Sequence, residues 1–197
     1  MSTADFALLR HAATVWNQEK RIQGHWDSEL SPEGLQDAGR WAESLVGRGF
    51  SRLLVSDLTR ARATAGLLNV RLKLPMTLEK SLREQKFGDW TGKYLADLRG
   101  HGLEEQVARG WEFRPPGGEN RLEVFGRAEH ALREAARHWP GKKILVVTHE
   151  GVIKALVYRL LGREYLPHEK KILRPGTLHW VRVEEGRLIL GGINEPL

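Results

Sequence analysis

Lys143-Ile144-Leu145-Val146-Val147-Thr148-His149-Glu150-Gly151 is the stretch whose reading decides the fold. From Ile144 to Val147 it is continuously apolar, without the alternation of a strand that keeps one face wet, so it suits a central parallel strand covered on both sides. The run stops at a histidine. Val152, Ile153, Leu156, Val157, Leu160 and Leu161 then recur at helical spacing, so a buried strand passes straight into a helix.

Upstream, residues 121–139 show helical periodicity through Leu122, Phe125, Ala128 and Leu132, closed by Pro140-Gly141. Asp5 to Arg10 contains a short buried strand, Phe6-Ala7-Leu8-Leu9, that also stops at a polar cluster. Ser31-Pro32-Glu33 is a helix start, with an N-cap serine and a proline in the first turn, followed by Leu35, Ala38, Ala42 and Leu45 and ended by Gly47 and Gly49. Leu53-Leu54-Val55-Ser56 is a second strand, with a helix from Asp57 to about Asn69 and a third strand over residues 75–78. The end of the chain, residues 178–183 and 188–193 around Glu185-Gly186, reads as a β-hairpin.

This alternation predicts an α/β fold, a doubly wound three-layer sandwich around a mostly parallel sheet with an antiparallel edge. The 197 residues suit a single domain. Residues 82–120, broken by Gly88, Gly92, Gly100, Gly102, Gly110 and Pro115-Pro116-Gly117-Gly118, are read as an insertion over the core of that domain. In such sheets ligands bind beyond the carboxyl ends of the strands, and three polar clusters fall there: Arg10-His11, Ser56 to Arg60, and Thr148-His149.

Composition narrows the chemistry. The hydrophobic share of 41% and the charged share of 28% are ordinary for a globular protein. No apolar run is long enough to span a bilayer, and the start, Met1 to Asp5, lacks the basic region of a signal peptide, so a cytoplasmic protein with no membrane partner is expected. With no cysteine, thiolate nucleophiles, disulfides and zinc ribbons are excluded. The net charge of +6 raises the question of nucleic acid, but the basic residues are interspersed with acids, as in Glu19-Lys20-Arg21. A cationic pocket for a small anion is expected instead.

Two histidines and at least two arginines converging on one crevice suit a phosphoryl group. Arginine forks neutralise its oxygens, and a neutral imidazole can serve as nucleophile because nearby positive charge lowers its pKa. The leaving oxygen still needs a proton, and so a carboxylic acid close by. Seen alone, a histidine after a strand is more often structural than catalytic, and the motif around it decides.

That motif resembles the histidine phosphatase superfamily, which includes the cofactor-dependent phosphoglycerate mutases. The resemblance runs through Arg10-His11-Ala12-Ala13-Thr14-Val15-Trp16-Asn17, the block from Arg21 to Leu30, Ser56-Asp57-Leu58-Thr59-Arg60-Ala61-Arg62, Leu82-Arg83-Glu84 with Phe87 to Gly92, Pro115 to Glu119, and Val147-Thr148-His149. It implies a phosphoglycerate mutase-like fold and His11 as the residue phosphorylated in the reaction. It also implies that Arg10, Asn17, Arg60 and His149 hold the phosphoryl group, that Glu84 is the proton donor, and that Gln23 and Gly24 lie along the substrate. No cofactor or metal is implied. The short chain looks more like the family's small phosphatases, hydrolysing a small phosphorylated metabolite such as α-ribazole phosphate or a sugar phosphate, or acting broadly. A phosphoglycerate mutase and a low-turnover module that binds a phosphorylated ligand are the alternatives, and the oligomeric state, a homodimer included, stays open.

Two positions depart from the family pattern. Ala12 and Glu150 each stand where glycine is usual. The Glu150 carboxylate would repel a phosphate unless it turned away, paired with a cation such as Lys154 four residues on, or met a cationic part of the substrate. His25, His101, His130, His138, His168 and His179 are expected to be packed or solvated without chemistry, and Asp57, Arg62 and Arg83 to form surface or helix-start pairs. Trp26, Trp90 and Trp111 are expected in the core or a lid.

Overall fold

In the computed structural model, which describes residues 3–197, the elements follow one another as β1 (Ala4–Arg10), α1 (Val15–Gln18), α2 (Pro32–Leu45), β2 (Arg52–Ser56), α3 (Thr59–Leu72), β3 (Met76–Glu79), α4 (Leu103–Val107), α5 (Arg121–His138), β4 (Lys143–Thr148), α6 (Glu150–Leu160), β5 (Thr177–Glu184) and β6 (Arg187–Pro196). Met1 and Ser2, the first residues of the start read as carrying no leader, lie outside the described residues. The strands form one sheet in the order β3-β2-β4-β1-β5-β6. The first four run parallel, and β5 and β6 add the antiparallel edge. The apolar run of β4 lies between β2 and β1, which is why it needed no polar alternation.

Alternation along the strands sorts the core into two layers. Phe6, Leu8, Leu54, Ile144 and Val146 pack beneath α5 and α6, whereas Ala7, Leu9, Leu53, Val55, Leu145 and Val147 pack beneath α2 and α3. Ser31 caps α2 as expected, its Oγ accepting from Gly34 N at 3.1 Å. The buried stripe of α2 is Gly34, Ala38, Ala42 and Leu45, and Leu35 is exposed. Gly34 replaces a larger residue there because the helix presses on the loop after β1: a Cβ on Gly34 would overlap the carbonyl oxygen of Ala13.

Helix α3 begins two residues later than Asp57, and its cap comes from a distance. Asp27 accepts from Thr59 N at 3.0 Å and from Thr59 Oγ1 at 2.9 Å, a contact that local sequence cannot show. Asn69, expected near the helix end, closes the C-terminus by bonding Leu74 through both amide atoms. The turn between β5 and β6 places Glu185 at φ 50° and Gly186 at φ 76°, the left-handed pair that a two-residue hairpin demands.

Between Leu82 and Asn120 the chain makes short helical turns and α4, with Trp90, Leu98 and Phe113 forming a small cluster of their own. Arg127 of α5 ties this segment down. Its guanidinium bonds Glu119 at 2.7 and 3.0 Å and donates to the carbonyls of Ser81, Arg83 and Glu84. Among the described residues no helix is long and apolar enough to cross a membrane.

Candidate active site at the carboxyl edge of the sheet

Strand register puts the polar clusters side by side. Arg10 pairs with Thr148 across the β1–β4 ladder, and His11 N donates to Thr148 O at 2.9 Å, extending that ladder by one residue. His11 is therefore held by the sheet although it lies beyond the strand. Its ring centroid stands 5.2 Å from that of His149, which opens α6.

Each imidazole has one defined contact. His11 Nδ1 lies 2.8 Å from the carbonyl oxygen of Ala12. A carbonyl only accepts, so Nδ1 carries the proton and Nε2 keeps its lone pair. Burial, then the charges of Arg60 and Arg10, hold the His11 pKa well below the ordinary histidine value, so the ring is neutral at neutral pH. His149 is fully buried, bonds Ser56 Oγ through Nε2 at 2.7 Å, and has no partner for Nδ1 among the described residues. Its pKa is lowered in the same way, first by burial and then by Arg60.

Arg60 lies in the first turn of α3 and is only 1% exposed. Its Nη atoms donate to the carbonyls of Trp26 at 2.9 Å and Gly24 at 2.8 Å, leaving Nε without a partner among the described residues. Gly24 sits at φ 52°, which turns its carbonyl toward the guanidinium and suits a residue without Cβ. Gln23 is buried beside it with Oε1 unpaired. Thr64, one turn along α3, donates to Arg60 O and accepts from Ala12 N at 3.0 Å, tying the arginine helix to the loop that carries His11. Ala12 is fully buried and its φ is not positive, so its methyl group fits where glycine is usual.

Asn17 shares a cavity with Arg10 and His11. Its Oδ1 is committed to a capping box with Thr14, accepting from Thr14 N and Oγ1 at 3.1 Å, so only the amide nitrogen remains to face a ligand. Glu84 lines a second cavity that also reaches Arg10. Its carboxylate accepts from Gln85 N at 2.8 Å and Gly151 N at 3.3 Å, at the start of α6. All eight sequence-selected residues thus lie in or against one edge of the sheet: Arg10, His11, Asn17 and Glu84 line its cavities, and Gln23 and Gly24 adjoin Arg60.

Glu150 is not turned away. Arg10 Nη1 donates to its Oε2 at 2.6 Å, and Lys154, the cation expected one helical turn on, pairs with Oε1. Asp57 and Arg83 bind each other through two 2.6 Å bonds, which is the structural pairing expected of them. Trp90 belongs to the buried cluster of the insertion, Trp111 packs against the α5–α6 layer, and Trp26 is exposed. The supporting roles of three residues were not legible in the sequence. Ser56 orients His149, Thr64 holds Ala12, and His25 donates from Nε2 to Glu84 O at 2.8 Å. Ser56 alone carried a signal, its place at the end of a buried strand.

Among the described residues no group of three or more histidine, aspartate or glutamate side chains is placed to hold a metal ion. The cations that act on His11 are Arg60 and Arg10.

The model of the histidine phosphatase superfamily (branch 1) matches residues 6–196. Phosphoglycerate mutase-like protein 4 of Arabidopsis thaliana is 35% identical over 162 residues, 79% of this chain and 70% of that protein. A mycobacterial glucosyl-3-phosphoglycerate phosphatase superposes with a TM-score of 0.85 at 28% identity, covering 97% of this chain and 99% of that one. A putative alpha-ribazole-5'-P phosphatase of Escherichia coli superposes with a TM-score of 0.83 at 26% identity, covering 98% and 96%.

Proposed function

We propose that this chain, which belongs to the histidine phosphatase superfamily, hydrolyses a small phosphorylated metabolite through a phosphohistidine on His11, without a metal ion. The class is that of a phosphoric monoester hydrolase, and its structural neighbours, named as phosphatases, support it. One observation carries the mechanism: the 2.8 Å bond from His11 Nδ1–H to Ala12 O, which leaves Nε2 as a buried lone pair on a ring that the charges of Arg60 and Arg10 keep neutral.

In this mechanism Nε2 attacks phosphorus, the bond to the ester oxygen breaks, and Glu84 gives that oxygen its proton. Arg10, Arg60, His149 and the Asn17 amide nitrogen hold the three remaining oxygens, and the N-terminus of α6 adds its dipole. Water then attacks the phosphohistidine, Glu84 takes up the water proton, and the P–N bond breaks to return neutral His11 and release inorganic phosphate. Arginine charge replaces the metal that other phosphatases use. A cytoplasmic location belongs to the same proposal and is supported by the cysteine-free composition.

Phosphoglycerate mutation is the second reading, favoured by the name of the Arabidopsis relative. The test is phosphate release from an aryl phosphate in EDTA between pH 5 and 8, with wild type compared with His11→Ala, and 2- and 3-phosphoglycerate assayed in parallel. Turnover that EDTA leaves intact and His11→Ala reduces by at least about a thousandfold supports the proposal. Equal activity of the two proteins rejects His11 as nucleophile, and interconversion of the phosphoglycerates without phosphate release replaces hydrolysis with mutation.

A further inference from the structure

We infer that Glu150 makes the leaving-group side of this site selective for phosphate esters of apolar alcohols that are uncharged or cationic, and against esters whose alcohol carries a carboxylate. The inference rests on the hydrolytic reading above and names a substrate class for it.

The place comes first. A proton donor must meet the leaving oxygen, and Glu84 lines the cavity that runs from Arg10 beneath the 82–120 segment. Phe87, Trp90, Leu103 and Phe113 form its apolar wall. The leaving group therefore enters an aromatic-lined space with the phosphoryl group at the Arg10 end.

Charge decides what that space accepts. The cations lining it are Arg10, Arg121 and Lys154, and each is already held. Arg10 and Lys154 are paired with the two oxygens of Glu150. Arg121 donates to the carbonyls of Gly110 and Tyr165, and its guanidinium lies 4.3 Å and 3.8 Å from the ring centroids of Phe113 and Tyr165. The acids lining the cavity are Glu84 and Glu150. A carboxylate on the alcohol would thus meet the Glu150 carboxylate and no unpaired cation, whereas an uncharged ring loses nothing and an ammonium group can use the lone pairs of Glu150 that Arg10 and Lys154 leave free. Burial works against ionisation of Glu150, but Arg10 and Lys154 outweigh it and keep the group a carboxylate. Arg174 lines a separate cavity on the other side of the Arg10–Glu150 pair, which Glu84 does not reach.

The test compares kcat/KM of wild type and Glu150→Gln for benzyl phosphate, 4-carboxybenzyl phosphate and 4-(aminomethyl)benzyl phosphate. Wild type is expected to prefer benzyl over 4-carboxybenzyl phosphate by at least about tenfold. Glu150→Gln, by releasing Lys154, is expected to close most of that gap and to lower the relative rate of the aminomethyl ester. A wild type that hydrolyses the carboxylated ester as well as the benzyl ester overturns the inference. So does a Glu150→Gln enzyme in which all three rates fall together, the signature of a residue that only positions Arg10. If wild type hydrolyses none of them, the functional reading fails, and calorimetric binding of benzylphosphonate against 4-carboxybenzylphosphonate decides the charge preference by itself. Tighter binding of the uncharged phosphonate upholds it, and equal or weaker binding overturns it.

Discussion

The carboxylate of Glu84 rests against the backbone of Gly151 so closely that a methyl group on Gly151 would overlap Glu84 Oε1, while Gly151 N donates to Oε2 at 3.3 Å. The proton donor proposed here is thus placed by a glycine from a segment 67 residues away in the chain. Gly151→Ala is expected to displace Glu84 and to lower kcat toward the level of Glu84→Gln, about 10²- to 10⁴-fold below wild type. Combining the two substitutions should cost little more than either alone, because both remove one function. Steady-state kinetics of the two single variants and the double variant check this, and full additivity would separate Gly151 from Glu84.

Thr64 holds the loop that carries His11 by accepting from Ala12 N at 3.0 Å in a fully buried setting. Thr64→Val keeps the shape and leaves that N–H without a partner, at an expected cost of about 1–3 kcal/mol. Thr64→Ser, which keeps the acceptor, should lose much less. Urea unfolding of the two variants measures the difference.

Arg127 joins Glu119 to three carbonyls at the base of the 82–120 segment, Glu84 O among them. Arg127→Lys retains the charge and loses the planar fork. The variant is expected to expose residues 82–120 to limited proteolysis and to lower kcat, with the sheet still unfolding in one cooperative step. Unchanged cleavage and kcat would show that the fork is dispensable.

His179 predicts a specific pH dependence of stability. Its side chain is buried, accepts from Asn194 N through Nδ1 at 3.2 Å, and has its pKa lowered by burial from the ordinary 6.5 to about 4. Above pH 6.5 folded and unfolded forms are both neutral and the residue exerts no pH-dependent effect. Between 6.5 and 4 only the unfolded chain takes up the proton, so the fold loses stability as pH falls, by about 2 kcal/mol at pH 5. His179→Asn keeps an acceptor without a titrating ring. Its loss of unfolding free energy between pH 7 and pH 5 should be smaller than that of wild type by about that amount, and equal losses would refute the assignment.

The α/β character was legible because the elements obey local rules. Ser31-Pro32 caps α2 as written, and Glu185-Gly186 makes the hairpin turn. The unbroken apolar run of β4 declares a strand with helices on both faces. Arg10, His11 and His149 could be chosen because each lies at or just after the end of a buried strand. What supports them could not be chosen. His25, Thr64 and Arg127 act through backbone atoms of residues 52 to 59 positions away for the first two and 43 to 46 for the carbonyls held by the third, and no local pattern marks such a contact. Leu35 shows the same limit from the other side: it recurs at helical spacing with Ala38, Ala42 and Leu45 but is exposed, because Gly34 faces Ala13 and the buried stripe of the helix runs through that glycine instead.

Sequence alone therefore determined the kind of sheet, the edge where the residues of the proposed site gather and the presence of a carboxylate at position 150 where it was unexpected. Only the tertiary structure decided what that carboxylate does. Lys154 lies one helical turn from Glu150 and could be paired with it on spacing, but Arg10 reaches it through the β1–β4 ladder, across 140 residues of chain. Strand and helix signals are written in neighbouring residues, whereas the protonation of His11, the reach of Glu84 and the charge balance around Glu150 arise from groups that only folding brings within hydrogen-bond distance.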